Sequence, residues 1–109
     1  AQGQAFYAMA GFKPEQIKNA MPGTLAMSLA GDIDLGTTAD IGSNILTGFG
    51  LSSDEMSRVS DTLVGVFTRA NVNLAMLGDT MKFVAPPASS LGVDLETTAA
   101  PAGKLGDAG

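Results

Sequence analysis

At 109 residues, with 11 acidic and 6 basic side chains and a net charge of −5, the chain can hold one domain with a modest core. The few Lys and Arg are scattered and form no basic stripe with interleaved aromatics, which argues against direct nucleic-acid binding. It has no Cys and no His, which removes disulfides, thiolate metal sites, the commonest general base and the commonest neutral metal ligand.

Gly makes up 14 of the 109 residues, roughly twice the average usage, and sits mostly at helix ends and within helical patterns. No apolar run reaches the ~18 residues that span a bilayer. No signal-peptide pattern opens the chain. It starts at Ala1 and ends at Gly109, and we expect a single helical domain, residues 1–109, excised from a longer chain.

The first predicted helix, Gln2 to Ala10, carries Ala5, Phe6, Met9 and Ala10 on one face. Gly11 is placed to close it as a left-handed cap, with Phe12 packing back beneath. Pro14 suits the first position of the next helix, where Ile17 and Met21 follow at helical spacing. Pro22-Gly23 then interrupts, and Leu25 and Leu29 resume the stripe in a further short helix.

Gly31-Asp32-Ile33-Asp34-Leu35 is the first copy of a phrase that returns as Ala70-Asn71-Val72-Asn73-Leu74 and Leu91-Gly92-Val93-Asp94-Leu95. Each copy sets a β-branched residue before an Asp or Asn, then a Leu that opens an apolar helical pattern. A short Asp or Asn side chain can accept a bond from a free amide of the next helix's first turn, so the phrase is helix punctuation.

The helix after the first copy spans Leu35 to Phe49, with Ile41, Ile45, Leu46 and Phe49 on one face. Gly36, Gly42 and Gly48 each cost about 1 kcal/mol relative to Ala inside a helix, so this helix either packs tightly on a neighbour or has low local stability. Gly50 ends it. Ser52-Ser53-Asp54-Glu55 has the pattern of a capping box, with Ser52 as N-cap and Glu55 three residues on. Met56, Val59, Leu63, Val66 and Ala70 then step by 3 and 4, with Asp54 to Arg58 as an i,i+4 pair on the wet face.

After Asn73 the stripe Leu74, Leu77, Met81, Val84, Ala88 and Leu91 passes straight through Pro86-Pro87. Proline removes a backbone bond, so we expect a bent helix or two short collinear ones that keep one buried face. The last helix starts after Asp94 with Leu95, Thr98, Ala102 and Leu105 on one face, and Gly106 to Gly109 should fray. No strand pattern survives. The expected fold is all-α: a compact array of about six short helices, mostly antiparallel, joined by tight Gly, Asp and Asn turns.

Nothing in the chain assembles a catalytic set, and we expect no enzyme activity, no cofactor and no metal. No Gly-x-Ser-x-Gly elbow is present. Asp32, Asp34 and Asp40 resemble the start of a calcium loop, but the positions that should hold Gly and Glu hold Thr37 and Ser43. Asp54-Glu55 and Asp94-Glu96 lie in first helical turns, where the helix dipole stabilises negative charge. Met9, Met21, Met56 and Met81 fall on the predicted buried stripes, while Met27 and Met76 fall off them. Phe6, Tyr7 and Phe83 are the other candidates for an exposed apolar contact.

The turns, read as words, go further. The carrying stretches are Ala8-Met9-Ala10-Gly11-Phe12 with Pro14-Glu15-Gln16, Ala20-Met21-Pro22-Gly23, Ala39-Asp40-Ile41, Phe49-Gly50-Leu51-Ser52, Met76-Leu77-Gly78, Lys82-Phe83-Val84-Ala85-Pro86 and Leu91-Gly92-Val93. In this order and spacing the chain resembles, over essentially its whole length, the core region of phage tail tape measure proteins, the long helical proteins that set tail length. It departs from that pattern at Pro87 and, after Thr98, at Pro101, Gly103 and Lys104, and keeps Gly106-Asp107-Ala108-Gly109.

The resemblance implies a structural segment of a phage or prophage tail, active in tail assembly and tail length determination. It implies the tail tube and tail assembly proteins as partners, with self-association open; the scattered charges and short apolar runs lead us to expect no nucleic acid bound by this segment and no membrane span in it. It implies the virion tail as location, and the host bacterial cytoplasm during assembly. The rival reading from the residues alone is a helical adaptor or scaffold that binds a partner through an apolar Met- and Phe-rich face.

Overall fold

Three short polar side chains start three of the helices. Asp34 accepts from the Thr37 amide at 2.9 Å, Asn73 from the Met76 amide at 2.8 Å and Asp94 from the Thr97 amide at 2.8 Å. Each is the third-residue bond of an N-cap, so all three copies of the recurring phrase do the same local work. A computed structural model describes the backbone of residues 2–108 and the side chains of residues 3–105. Six α-helices make it up among the described residues: α1 Gln2–Met9, α2 Pro14–Gly31, α3 Leu35–Phe49, α4 Met56–Arg69, α5 Leu74–Ser90 and α6 Leu95–Ala108. A single turn of 3₁₀ helix at Ser53–Glu55 leads into α4. No strand occurs among the described residues, and the fold is all-α.

The helix ends follow backbone chemistry. Gly11 at φ +90° closes α1, and Phe12 returns its amide to the Tyr7 carbonyl at 2.9 Å. Gly50 at φ +66° closes α3, and the Leu51 amide reaches back to the Leu46 carbonyl at 2.8 Å, a Schellman arrangement. Connections are therefore tight. The Cα radius of gyration is 12.8 Å, against ~13 Å expected for a compact domain of this length.

Packing pairs α2 with α4 and α3 with α5, lays α1 on α3 and α2, and sets α6 against both α4 and α5. One core runs through these contacts, built from Met27, Ile45, Met56, Leu63, Leu77 and Met81 with smaller residues between them. The smallest residues set the closest approaches. A Cβ on Gly23 would lie 2.6 Å from the Met56 carbonyl carbon and oxygen, so α2 meets the backbone of α4 there. A Cβ on Gly48 would meet the Ala85 methyl at 2.7 Å. Gly48 thus marks tight packing of α3 on α5, and Gly42, whose Cβ would meet the Met56 side chain at 2.9 Å, marks it on α4.

Several expectations are corrected. α2 is one helix through Pro22 and not two, and its buried side is Ala20, Gly23, Thr24 and Met27, leaving Leu25 and Leu29 exposed. Pro22 is exposed, and Gly23 beside it lets the helix sit down on α4. In α1 the buried positions are Gly3 and Tyr7, not Ala5, Met9 and Ala10, and Met9 is 88% exposed. Met27, placed off the stripe, is fully buried. For α5 the single-helix alternative holds: it runs unbroken through Pro86 and Pro87. Its buried face is Leu74, Leu77, Gly78, Met81 and Ala85, with Leu91 exposed beyond its end. In α6 the buried residues are Leu95, Ala99, Ala102 and Gly103, and Leu105 is exposed. The helix assignment extends to Ala108, and the side chains of residues 106–109, for which fraying was expected, lie outside the described residues.

Candidate functional site

The Ser52-to-Glu55 capping box does not form. Ser52 donates its hydroxyl to Asp54, and the chain enters α4 through a 3₁₀ turn. Glu55 is left to face Arg58, whose Nη1 lies 3.2 Å from Glu55 Oε1. The expected Asp54–Arg58 pair is replaced by a partner 38 residues away. Arg58 Nε and Nη2 grip the two oxygens of Glu96 at 2.7 Å each, a bidentate fork that joins α4 to the start of α6. Thr62 adds a weaker contact to Glu96 at 3.4 Å. The Arg58 fork holds the Glu96 carboxyl down at about 2, and Glu96 in turn raises Arg58.

The second polar device is internal. Thr24 donates its hydroxyl proton to the Ala20 carbonyl at 2.8 Å, so the Tyr7 hydroxyl, 2.5 Å away, is the donor to Thr24 Oγ1. Burial pushes the Tyr7 phenol above its usual value, opposed by the Thr24 contact. Phe12 stacks on the Tyr7 ring at a centroid distance of 4.8 Å. Tyr7 therefore locks α1 onto α2 and is not the exposed contact residue the sequence suggested.

The remaining shifted carboxylates are caps. Hydrogen bonds from the Thr37 side chain and amide pull Asp34 down, and those from Thr97 do the same for Asp94. Asp34 accepts from Thr37 as the cap of α3, and Asp32, Asp34 and Asp40 form no metal-holding group. No cluster of three acidic, His or Cys side chains among the described residues could hold a metal ion. No buried side-chain polar atom among the described residues lacks a hydrogen-bond partner. No helix among the described residues is long and apolar enough to cross a membrane.

The free surface is where unused chemistry lies. Phe83 is 77% exposed and Met76 is 45% exposed, seven positions apart on α5. Phe6 is half-buried against the core. Leu91 and Leu105 are exposed beside each other's helices, lining a groove between α5 and α6 together with Val84, Ala88 and Pro101. A groove of mixed polarity lies where α1, α3 and α5 meet, with Phe12, Asp40, Asn44 and Lys82 on its walls. Sequence reasoning missed the Arg58–Glu96 fork and the α5–α6 groove, because no local spacing connects their members.

The described residues thus present helix caps, an internal hydroxyl pair, one arginine paired with two glutamates, and exposed apolar side chains. The comparisons with known proteins place the chain. The chain belongs to the phage-related minor tail protein family, whose profile matches residues 1–109. It is 35% identical over 109 residues to the tape measure protein of Pneumococcus phage Dp-1, covering 100% of this chain and 10% of that protein. It is 32% identical over 108 residues to the "Probable tape measure protein" of Escherichia phage P2, covering 99% of this chain and 13% of that one. The chain thus spans about a tenth of the length of these relatives. No solved structure matches it.

Proposed function

We propose that this chain is a structural segment of a phage or prophage tape measure protein, taking part in tail assembly and in setting tail length. The observation that carries the reading is similarity along the entire chain, at 35% and 32% identity, to two proteins of that name. The residues forming a single helical domain within a longer chain fits the same comparison. Its partners are tail tube and tail assembly proteins, with self-association as a further contact. It acts in the virion tail, after assembly in the host bacterial cytoplasm, and without catalysis or direct nucleic-acid contact by this segment. The charge balance supports that last point: 6 basic side chains stand against 11 acidic ones, and Arg58 is engaged by Glu96.

The test is an in-frame deletion of this segment from the parent gene, with electron microscopy of the tails and a plaque assay. The longest extent of the compact fold is 38 Å, whereas 109 residues of extended helix span roughly 160 Å. Shortening by up to 38 Å supports a compact contribution to tail length, and shortening toward ~160 Å supports an opened one. Loss of tails supports an assembly role, and normal-length tails that fail to infect support a role after assembly. Normal, infectious particles would overturn the tail reading. That outcome would promote the adaptor reading, which the exposed Phe83 and Met76 on α5 favour.

A further inference from the structure

The surface around the second half of α6 forms one continuous apolar band. On the α5 side, the groove bounded by Val84, Leu91 and Leu105 holds about 410 Å³. A shallow hollow of about 480 Å³ over Ala100, Pro101 and Lys104 continues it across α6. A third depression of about 370 Å³, walled by Val66, Arg69 and Ala70, carries it onto α4. Neighbouring parts share residues: Pro101 and Leu105 on one side, Ala100 and Lys104 on the other. Leu91 is 81% exposed and Leu105 64% exposed, so the band presents whole side chains to solvent. Contiguous exposed apolar surface of this kind marks an interaction site.

Charge narrows the partner. The chain carries 11 acids against 6 bases, yet the charged side chains lining the band are Arg69 and Lys104, both at its α4 edge. Among the described residues no carboxylate lines it. Among the described residues neither cation forms an ion pair, and Arg69 turns its Nε to the Gly65 carbonyl of its own helix at 2.8 Å. We propose that the band docks an amphipathic helix of a partner segment, its apolar stripe along the α5–α6 groove and its carboxylates on the flank facing Arg69 and Lys104. A groove between two helices fits a third helix, and opposite charge at one edge fixes which way round it lies. The inference goes beyond the tail-assembly reading and does not depend on it, because the chain itself is tested.

The probes are two fluorescein-labelled helical peptides of roughly 16 residues, long enough to hold helix, with one Leu stripe and either Glu or Lys on the flank. Anisotropy titrations follow their binding to the whole chain. The Glu-flanked peptide should bind at least ~10-fold more tightly than the Lys-flanked one and weaken as salt rises. Arg69→Glu with Lys104→Glu should reverse that order. Leu105→Asp should weaken both peptides at least ~10-fold. These positions are exposed, and circular dichroism of each variant confirms the fold. Equal binding of the two peptides, no saturation by ~1 mM, or an order unchanged in the charge-reversed variant would sink the proposal. Sedimentation of the free chain supplies the remaining outcome: a dimer dissolved by Leu105→Asp assigns the band to a second copy and overturns the peptide partner.

Discussion

Of the three side chains that start helices, Asn73 is the uncharged one, and it isolates the capping bond from charge. Its oxygen takes the Met76 amide, one of the four orphan donors of the α5 first turn. Asn73→Ala should destabilise the chain by ~1 kcal/mol in urea unfolding, a fall of about 4–8 °C in Tm. Asn73→Asp keeps the acceptor and adds favourable charge at the helix start, so it should match the parent or exceed it slightly. An Asn73→Ala chain as stable as the parent would show that the cap contributes nothing. Capping of this kind was legible in the sequence because it acts over three residues. Arg58 was not, for the complementary reason. The local pattern offered Asp54 one turn away, but Glu96 accepts two parallel bonds and Asp54 already takes the Ser52 hydroxyl.

Among whole helices, glycine has two opposite meanings, and a Cβ tells them apart. Ala is favoured over Gly inside a helix by about 1 kcal/mol. At Gly23 that gain meets a Met56 carbonyl 2.6 Å away, and backbone cannot step aside. Gly23→Ala should therefore destabilise by about 1–3 kcal/mol, as overpacking does. At Gly65 the nearest atom is the flexible Arg69 Nη2 at 3.1 Å, so Gly65→Ala should stabilise by up to ~1 kcal/mol. Chemical denaturation of both variants checks the pair, and equal signs would refute the packing account. This contrast explains what the sequence hid. Counting Leu and Met found the all-α class and the bounds of α3 but split α2 at Pro22, and the buried sides of α1 and α2 include Gly3 and Gly23, where another helix comes close. Between helices, Glu96 is the pH-sensitive link from α6 to α4. Its carboxyl is held down at about 2 in the folded chain, so its contribution is present above the ordinary Glu range near pH 4.5 and is lost as pH falls toward 2. Arg58 and Glu96 side chains are 37% and 47% exposed, so solvent screening limits the pair to about 1 kcal/mol or less. Parent and Glu96→Gln should differ by that amount at pH 7 and converge between pH 4.5 and 2, read from urea midpoints. A gap that persists at pH 2 would assign it to packing.

The whole molecule poses the question of how a compact array of helices could serve the proposed role in tail length. Three of its helices carry interior prolines: Pro22 in α2, Pro86 and Pro87 in α5, and Pro101 in α6. Each lacks the amide that a helix interior uses, at a cost of ~3 kcal/mol or more for an isolated helix. The sequence reading took Pro22 as a break and Pro86-Pro87 as a bend or a break; in the folded chain the helices run through them. The consequence is energetic. α2, α5 and α6 depend on their neighbours to stay helical, so they should not outlast the core that holds them. Heating the chain should then give one cooperative transition, with far-UV helicity and the near-UV signal of buried Tyr7 lost together. Its midpoint should fall in the ordinary range of about 45–65 °C, low enough that a ligand with affinity for the opened chain alone would shift the balance toward it. A transition above ~80 °C would argue that the segment stays compact in the tail. Helicity persisting after the Tyr7 signal is gone would show that the helices stand without the core, and that the prolines do not couple them to it.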